Sequence, residues 1–219
     1  AFIVIFSSCS SRNTEQTKTS ITIFHAGSLS IPIKEIAEKF EGLNPNVDIL
    51  LESSGSVSAI RKITDLNRSC DVIALADEAL IDTWLIPDFA TWNLHFASNE
   101  MIIAYTESSR FSEDINDQNW HEILLKPEVR YGRSDPNSDP CGYRTELSLK
   151  LAHEHYSNGV DYEAILAKDK NYIRPKASDL VALLETGALD YVFEYSSVAK
   201  QHGFNILHLP DQINLSNPD

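Results

Sequence analysis

Short apolar runs alternate with longer amphipathic stretches along the first half of the chain. The apolar runs predict β-strands at residues 21–24, 47–51, 71–75 and 101–105. Apolar residues at helical spacing predict helices after the first two strands: Leu29, Ile33, Ile36, Ala37 and Phe40 in one, Ile60, Ile63 and Leu66 in the other. Alternating strands and helices of these lengths are typical of a parallel α/β sheet.

Turn-forming residues interrupt this pattern in the second half of the chain. Residues 132–141 are rich in such residues and precede a predicted helix over residues 143–156. Another helix is predicted over residues 178–185 and a strand over residues 189–193, with Gly187 between them. Because no repeat or linker separates the two halves, we expect two intertwined α/β lobes.

The N-terminal residues resemble a leader. An apolar run over residues 1–6 closes on Ser7-Ser8-Cys9, as at the end of a lipoprotein signal peptide, where the cysteine carries the lipid. Residues 10–20 are polar and predict a tether. We therefore expect residues 1–19 to be a leader remnant and tether, with Cys9 as the lipid anchor. The alternative is a buried first strand with a free cysteine.

Composition and charge narrow the class of partner. The 219 residues are 42% hydrophobic and 23% charged, which is typical of a globular protein. Asp and Glu number 32 against 18 Lys and Arg, giving a net charge of −14, which disfavours nucleic acid and anionic lipid as partners. A small anionic ligand is still compatible with this net charge, because the electric field inside a pocket depends on the groups that line it. Three cysteines are too few for a disulfide scaffold or a four-cysteine zinc site.

Four turns are candidate anion sites. Each of them opens a predicted helix, where free amides and the positive end of the helix dipole attract an oxyanion. They contain Ser28, Ser56, Cys141-Gly142 and Ser178. Taken singly, each is equally a simple helix cap. Because two come from each half of the chain, a cleft between the halves would bring them together.

Two further strings carry carboxylates. In the turn-rich segment, Asp135 and Asp139 each precede a proline, which holds their backbone extended. Glu194 follows an apolar strand near its carboxyl end, where open α/β sheets bind ligands. The alternatives are a rigid solvent loop for the aspartates and an ion pair at the rim for Glu194.

These strings together resemble the archaeal-type tungstate/molybdate-binding proteins of ABC importers. The resemblance spans about residues 20–219 and rests on His25-Ala26-Gly27-Ser28-Leu29, the Asp135 to Arg144 string, Arg174-Pro175-Lys176 and Phe193-Glu194-Tyr195. It implies a two-lobed type II periplasmic-binding-protein fold with the oxyanion in the cleft between the lobes. It further implies residues 20–97 as lobe 1, residues 98–196 as lobe 2, and residues 197–219 returning towards lobe 1. Family members continue beyond this point to complete lobe 1, so we expect a sequence truncated at both ends.

The resemblance also implies a ligand set. Ser28 and Ser56 would donate hydroxyls, Cys141 its amide, and Ala177 or Ser178 a second amide. Asp139 and Glu194 would complete a six-coordinate metal centre, with Asp135 competing for the aspartate role, and Tyr195 would add a hydroxyl. The protein would capture tungstate or molybdate outside the membrane and deliver it to a permease, with no cofactor and no enzymatic activity.

The chemistry of two carboxylates supports this implication. An ionised carboxylate repels a sulfate or phosphate dianion. Mo(VI) and W(VI) accept further oxygen ligands, and carboxylates are the hard donors that such metals prefer.

Other functions stay open from the residues alone. They are a sulfate or phosphate carrier, a hydrolase with Asp139 and Glu194 as its acid and base, and an intracellular effector-sensing domain. His153 and His155 alternate on a helix and point to different faces, which disfavours a shared metal. Cys70 and Cys141 are left either as a disulfide pair or as separate thiols.

Overall fold

Two separate sheets divide the chain into two lobes. The computed structural model describes residues 18–157, 159–168 and 170–216, so the predicted leader and Cys9 lie outside the described residues. The first sheet has three strands in the order β2-β1-β3, and the second has five in the order β6-β5-β7-β4-β8. Their bounds are β1 Thr19–Ala26, β2 Val47–Ser54, β3 Val72–Ala74, β4 Met101–Tyr105, β5 Tyr131–Ser134, β6 Ile173–Arg174, β7 Tyr191–Tyr195 and β8 Asn205–His208. The predicted two-lobed α/β fold is confirmed.

Helices cover both sheets. In the described residues they are α1 Ser30–Leu43, α2 Ser56–Thr64, α3 Ala79–Trp84, α4 Trp120–Leu125, α5 Pro140–His155, α6 Tyr162–Ala167, α7 Ser178–Glu185 and α8 Ser196–His202. Short 3₁₀ turns occupy Gly27–Leu29 and Lys170–Tyr172. None of the described helices is long and apolar enough to cross a membrane.

The first sheet places three chain segments at one edge. β1 pairs in parallel with β2 from Thr19↔Val47 to Ala26↔Ser54, and β3 pairs in parallel with the other side of β1. Carboxyl ends of parallel strands share one edge of the sheet, so the turns after β1, β2 and β3 are neighbours. Behind this edge the lobe is held by a small buried cluster: Phe24, Ala59, Ile60, Leu75 and Leu85.

The second sheet is centred on β7, whose five residues are all buried. β7 runs parallel to β5 and antiparallel to β4. On one face, Phe193 packs edge-to-face against Trp120 and Tyr131, with ring centroids 6.0 and 6.2 Å apart. This packing fixes the carboxyl end of β7, which carries Glu194.

The described part of the C-terminal segment begins in the second lobe. α8 and β8 lie with the second sheet, where β8 pairs antiparallel with β4 from Ile102↔His208 to Tyr105↔Asn205. Leu215 and Ser216 line the same cavity as β3 and residues 85–99 of lobe 1, and the return of residues 197–219 towards lobe 1 stays a prediction. The Met101 amide also donates to the Asn214 carbonyl at 2.8 Å. β8 joins this sheet because β4 has an open side, and the short apolar run of β8 completes its hydrogen bonding.

Large exposed apolar side chains are concentrated in lobe 1. Trp92 is 72% exposed, Leu94 67% and Phe96 57%. They line a cavity of about 1310 Å³ whose walls come from β3, α1 and residues 85–99 and, on the lobe 2 side, from Tyr143, Arg144 and Tyr195. A surface of this kind favours association with other apolar surfaces.

Candidate functional site

The two lobes touch at the turns that the sequence singles out. A methyl group on Gly27 would lie 2.6 Å from Ser178 Oγ, and one on Gly55 would lie 2.3 Å from the Ser138 carbonyl oxygen. The Ser58 amide also donates to the Ser138 carbonyl at 3.5 Å. The structure therefore brings the turns of Ser28 and Ser56 against those that precede α5 and α7.

Asp139 caps α5 and ties it to α7. Its Oδ1 accepts the Cys141 amide and its Oδ2 accepts the Ala177 amide, both at 2.9 Å. With Asp139 as the cap and Pro140 in the first helical position, α5 begins at Pro140 and not at Tyr143 as we predicted. Burial raises the pKa of Asp139, although both amide hydrogen bonds oppose this shift. The two amides that we predicted to face the oxyanion thus hold a carboxylate.

Asp135 has a different task. Its Oδ1 accepts the amide and the side-chain nitrogen of Asn137 at 2.9 and 3.0 Å, and its Oδ2 accepts Ser138 Oγ at 3.4 Å. These bonds close the turn between β5 and α5. Asp135 is half-buried, whereas Asp139 is 6% exposed. Of the two aspartates, Asp139 is the one that lies beside Cys141 and the start of α7.

Glu194 is a buried carboxyl group with one oxygen to spare. Its Oε1 accepts the Tyr195 amide at 2.8 Å, and its Oε2 has no hydrogen-bond partner among the described residues. The side chain lies at the carboxyl end of β7 and is 1% exposed. Burial raises its pKa to about 8, and the charge of Asp139 adds to this effect against the Tyr195 amide. An unpartnered buried carboxyl oxygen is costly unless a ligand completes it.

Cys141 lies between the two carboxylates. Its Sγ lies 3.9 Å from Glu194 Oε1 and donates to the Phe193 carbonyl at 3.6 Å. Burial raises the pKa of the thiol well above its usual value, and Glu194 and Asp139 reinforce the shift, so the sulfur stays protonated. Cys70 and Cys141 are free thiols in different lobes, which settles the choice between a disulfide and separate thiols.

Ser56 and Ser28 occupy the lobe 1 side. Ser56 is fully buried at the start of α2, and its Oγ accepts the Ala76 amide at 3.0 Å. Because the oxygen is used as an acceptor, the hydroxyl hydrogen is left to donate to a ligand. Ser28 is 8% exposed in the 3₁₀ turn after β1.

Arg144 is a cationic group of the site for which we predicted no role. Its Nη1 donates to the Ala76 carbonyl at 3.0 Å and to Tyr195 OH at 3.4 Å, and its Nη2 lies 3.4 Å from Asp77 Oδ2. Tyr195 is 3% exposed, and burial raises its pKa well above 10, so its hydroxyl is a neutral donor. The available signal was the spacing of three from Cys141, which places Arg144 on the same face of α5.

A second positive charge lies at the start of α7. Lys176 precedes the amide that holds Asp139, and its Nζ lies 3.6 Å from Asp179 Oδ1. His25 is 2% exposed, and its Nδ1 forms a hydrogen bond with the Ala26 carbonyl oxygen at 2.9 Å. Burial lowers the pKa of His25, and the charge of Lys176 lowers it further, so this imidazole is neutral.

The described residues offer no separate metal cluster of three or more His, Cys, Asp or Glu side chains. His153 Nδ1 instead forms a hydrogen bond with the Val160 carbonyl oxygen at 2.7 Å. The His155 ring packs edge-to-face against that of Tyr156, with ring centroids 4.8 Å apart. The site is therefore built from hydroxyl donors, one guanidinium and two buried carboxylates. Such a set can hold an oxyanion whose central atom accepts carboxylate oxygens.

Comparison with known proteins assigns the family. Residues 21–219 match the family model described as "Bacterial extracellular solute-binding protein". The chain belongs to this family. Its members bind solutes, and the predicted absence of an enzymatic activity is confirmed by this membership.

Relatives at 40% identity or more are also named as binding proteins. An uncharacterized solute-binding protein of Petrotoga mobilis is 49% identical over 203 residues, which are 92% of this chain and 63% of that protein. The molybdate/tungstate-binding protein WtpA of Thermococcus kodakarensis is 40% identical over an alignment of 239 positions, gaps included, which covers 96% of this chain and 67% of that protein. The chain thus spans about two thirds of the length of these relatives.

Solved structures of similar fold include binding proteins for different anions. The sulfate-binding protein SubI of Mycobacterium tuberculosis has a TM-score of 0.63 at 15% identity, over 87% of this chain and 70% of that one. The periplasmic molybdate-binding protein of Azotobacter vinelandii has a TM-score of 0.62 at 16% identity, over 80% and 71%. At these identities the likeness concerns the fold alone, and the fold does not choose between sulfate and molybdate.

Proposed function

We propose that this solute-binding protein captures tungstate or molybdate between its lobes and delivers it to the permease of an ABC importer. The observation that carries the proposal is the pair of buried carboxyl groups, Asp139 and Glu194, inside a site of hydroxyl donors. Glu194 Oε2 has no partner among the described residues and is the oxygen we assign to the metal.

The donor set favours a metal oxyanion over sulfate or phosphate. In their ionised form the two carboxylates repel any dianion, and in a buried site this repulsion is strong. This repulsion is offset only when the central atom of the anion can form coordinate bonds with the carboxylate oxygens. Mo(VI) and W(VI) form such bonds with hard oxygen donors. Each carboxylate oxygen has two lone pairs, so Asp139 can keep the Cys141 and Ala177 amides and still offer an oxygen to the metal. In this proposal both amides orient Asp139.

The hydroxyl groups complete the proposed coordination. Ser56 and Tyr195 each accept a hydrogen bond from a neighbour, which leaves their own hydrogens for oxo groups of the ligand. We place Ser28 and Ser178 on the two sides of the same junction as further donors. The molybdate/tungstate-binding relative from Thermococcus kodakarensis, at 40% identity, supports this choice of ligand.

We further propose that the protein works on the outer side of the membrane. The extracellular solute-binding family supports an extracytoplasmic location. Cys9, which lies outside the described residues, would carry the lipid that holds the protein there. Mass spectrometry of the full-length protein from its host membrane should find the lipid on a peptide that begins at Cys9, and an unmodified Cys9 would contradict the anchor alone.

Calorimetric titration with tungstate, molybdate and sulfate in parallel tests the proposed function. We expect tungstate and molybdate to bind at least about a hundredfold more tightly than sulfate, a difference of about 2.7 kcal/mol. Comparable affinities for all three anions would indicate a general oxyanion carrier and contradict metal coordination.

A further inference from the structure

The guanidinium of Arg144 is shared between the two lobes. It belongs to α5 of lobe 2, yet it donates to the Ala76 carbonyl of lobe 1 at 3.0 Å and pairs with Asp77 of lobe 1 at 3.4 Å. From the same position it donates to Tyr195 OH of lobe 2 at 3.4 Å. One side chain thus contacts both walls of the cleft and one of the proposed ligand hydroxyls.

A single peptide group continues this connection inside lobe 1. Ala76 accepts Arg144 through its carbonyl, and its amide donates to Ser56 Oγ at 3.0 Å. Ser56 and Tyr195, one hydroxyl from each lobe, are therefore joined through Ala76 and Arg144. Asp77 adds a charge at the same place and also accepts the Tyr143 hydroxyl of α5.

We propose that Arg144 is a positioning residue that latches the lobes together while it orients the Tyr195 hydroxyl towards the bound oxyanion. This inference rests on the proposed function, because it concerns the lifetime of the same bound ligand. Separation of the lobes breaks the bonds to Ala76 and Asp77, whereas the bond to Tyr195 lies within lobe 2 and survives. The latch therefore acts on the closed state, and its removal should speed ligand release more than it slows capture.

The charge of Arg144 also suits a site that binds a dianion beside two carboxylates. Its side chain is 26% exposed and that of Asp77 is 16% exposed, so water screens their interaction only in part. A guanidinium with donors in a fixed fork can serve a carbonyl, a carboxylate and a hydroxyl at once, which a lysine ammonium does less well. We therefore expect Arg144→Lys to retain part of the effect.

The test measures tungstate dissociation by stopped-flow fluorescence in wild type, Arg144→Gln, Asp77→Asn and the double variant. Asparagine keeps an acceptor for Tyr143 and removes the charge that Arg144 faces. We expect Arg144→Gln to raise the dissociation rate roughly ten- to a hundredfold, as for the loss of a hydrogen bond to a charged group. We expect the dissociation rate of the double variant to lie within about twofold of that of Arg144→Gln, because both substitutions remove the same interaction.

The matched control is Arg110→Gln. Arg110 also pairs with a buried aspartate in lobe 2, Asp190, at 2.8 Å, but this pair holds the loop after β4 to the start of β7. Its loss should lower the stability of the lobe and leave the dissociation rate within about twofold of wild type. If Arg144→Gln does not fold, Arg144→Lys replaces it in the cycle with a smaller expected increase.

The outcomes separate the latch from the proposed function. A wild type that binds tungstate tightly, with Arg144 variants that release it at the wild-type rate, would overturn the latch and leave the function standing. Additive effects of Arg144→Gln and Asp77→Asn on the dissociation rate would also overturn it, because two residues that act through one contact do not contribute independently. A wild type that does not bind tungstate would overturn the proposed function and, with it, the latch.

Discussion

At the scale of single residues, the site is defined by carboxyl groups that are buried, where an ionised side chain costs desolvation free energy. Glu194 and Asp139 are almost fully buried, and burial raises the pKa of both. A pair of this kind weakens a ligand-free fold, and natural proteins retain such groups at functional sites. Because these groups titrate at an unusual pH, the free energy of unfolding should depend measurably on pH.

The ligand-free protein should lose stability as the pH rises towards 8. The pKa of Glu194 is about 8 in the folded chain against a usual value of 4.5, so between these values the folded state holds a proton that the unfolded state has lost. The free energy of unfolding therefore falls with rising pH, by roughly 1.4 kcal/mol for each unit within this window, and levels off above it. Urea denaturation at about pH 6 and about pH 8.5 measures this slope.

The control for this prediction is Glu194→Gln, which has the same shape and no titrating proton. We expect its free energy of unfolding to change much less between the same two pH values. Equal slopes in wild type and variant would mean that Glu194 is ionised throughout the range in the folded protein.

At the scale of elements, the sequence pattern predicted most strands and helices that bear the site. The helix over residues 178–185 and the strand over residues 101–105 are present with those bounds, because each is a single periodic run between clear breakers. α5 begins before the predicted Tyr143 because the turn-rich composition of residues 132–141 predicts a loop, although Asp139-Pro140 is also a favourable cap and first residue of a helix.

Pairing between distant strands was beyond the reach of the local pattern. β8 joins β4 across about a hundred residues of sequence, and nothing near residues 205–208 indicates which sheet it completes. The same limit applies to the site. The sequence placed Ser28, Ser56, Asp139 and Glu194 at turns and strand ends, but the contact of Arg144 with Ala76 exists only once the two lobes meet.

The turn before α2 provides a test of this junction. Gly55 has φ −63°, a conformation open to alanine, yet an added methyl group would lie 2.3 Å from the Ser138 carbonyl of the other lobe. We expect Gly55→Ala to fold normally and to bind tungstate at least about tenfold more weakly, because the methyl group keeps the lobes apart. Calorimetry for affinity, with thermal denaturation for folding, checks both statements.

Gly42→Ala is the matched control for this substitution. It lies in α1 of the same lobe, and an added methyl group there would meet nothing within 4 Å. Its affinity for tungstate should equal that of wild type. A Gly55→Ala variant with wild-type affinity would show that closure of this junction is not required for binding.

At the scale of the whole molecule, the two lobes are joined by a narrow crossover. Asn99 marks the point where the chain enters lobe 2, and it bonds to the Ser197 hydroxyl at 2.7 Å and accepts the Ser197 amide at 3.3 Å. The Ser196 amide donates to the Glu100 carbonyl at 3.0 Å. Such a junction allows the lobes to hinge about a few residues.

We expect tungstate to make the molecule more compact. The bonds that cross the cleft, such as those of Arg144 to Ala76 and Asp77, form only when the lobes meet, and a ligand that binds both walls favours that state. Small-angle X-ray scattering should show a smaller radius of gyration with saturating tungstate than without ligand, and sulfate at the same concentration should have less effect. Identical dimensions in all samples would mean that the lobes are already closed before binding.

The central claim is that a metal oxyanion uses Glu194 as a ligand, and titration of Glu194→Gln with tungstate and sulfate tests it most directly. The titration is run above pH 8, where Glu194, whose pKa is about 8, is ionised before the ligand binds. Under this condition the substitution keeps the shape of the side chain and removes an anionic donor. A metal ligand predicts weaker tungstate binding, whereas sulfate, which feels only the charge, should bind as well as before or more tightly.

Asp139→Asn should repeat this opposite response, and Asp135→Asn, which alters a turn outside the carboxylate pair, should not. The account predicts that one mutation moves the two anions in opposite directions. If Glu194→Gln strengthens the binding of tungstate and sulfate alike, Glu194 is a bystander charge and the assignment of a tungstate or molybdate carrier is contradicted.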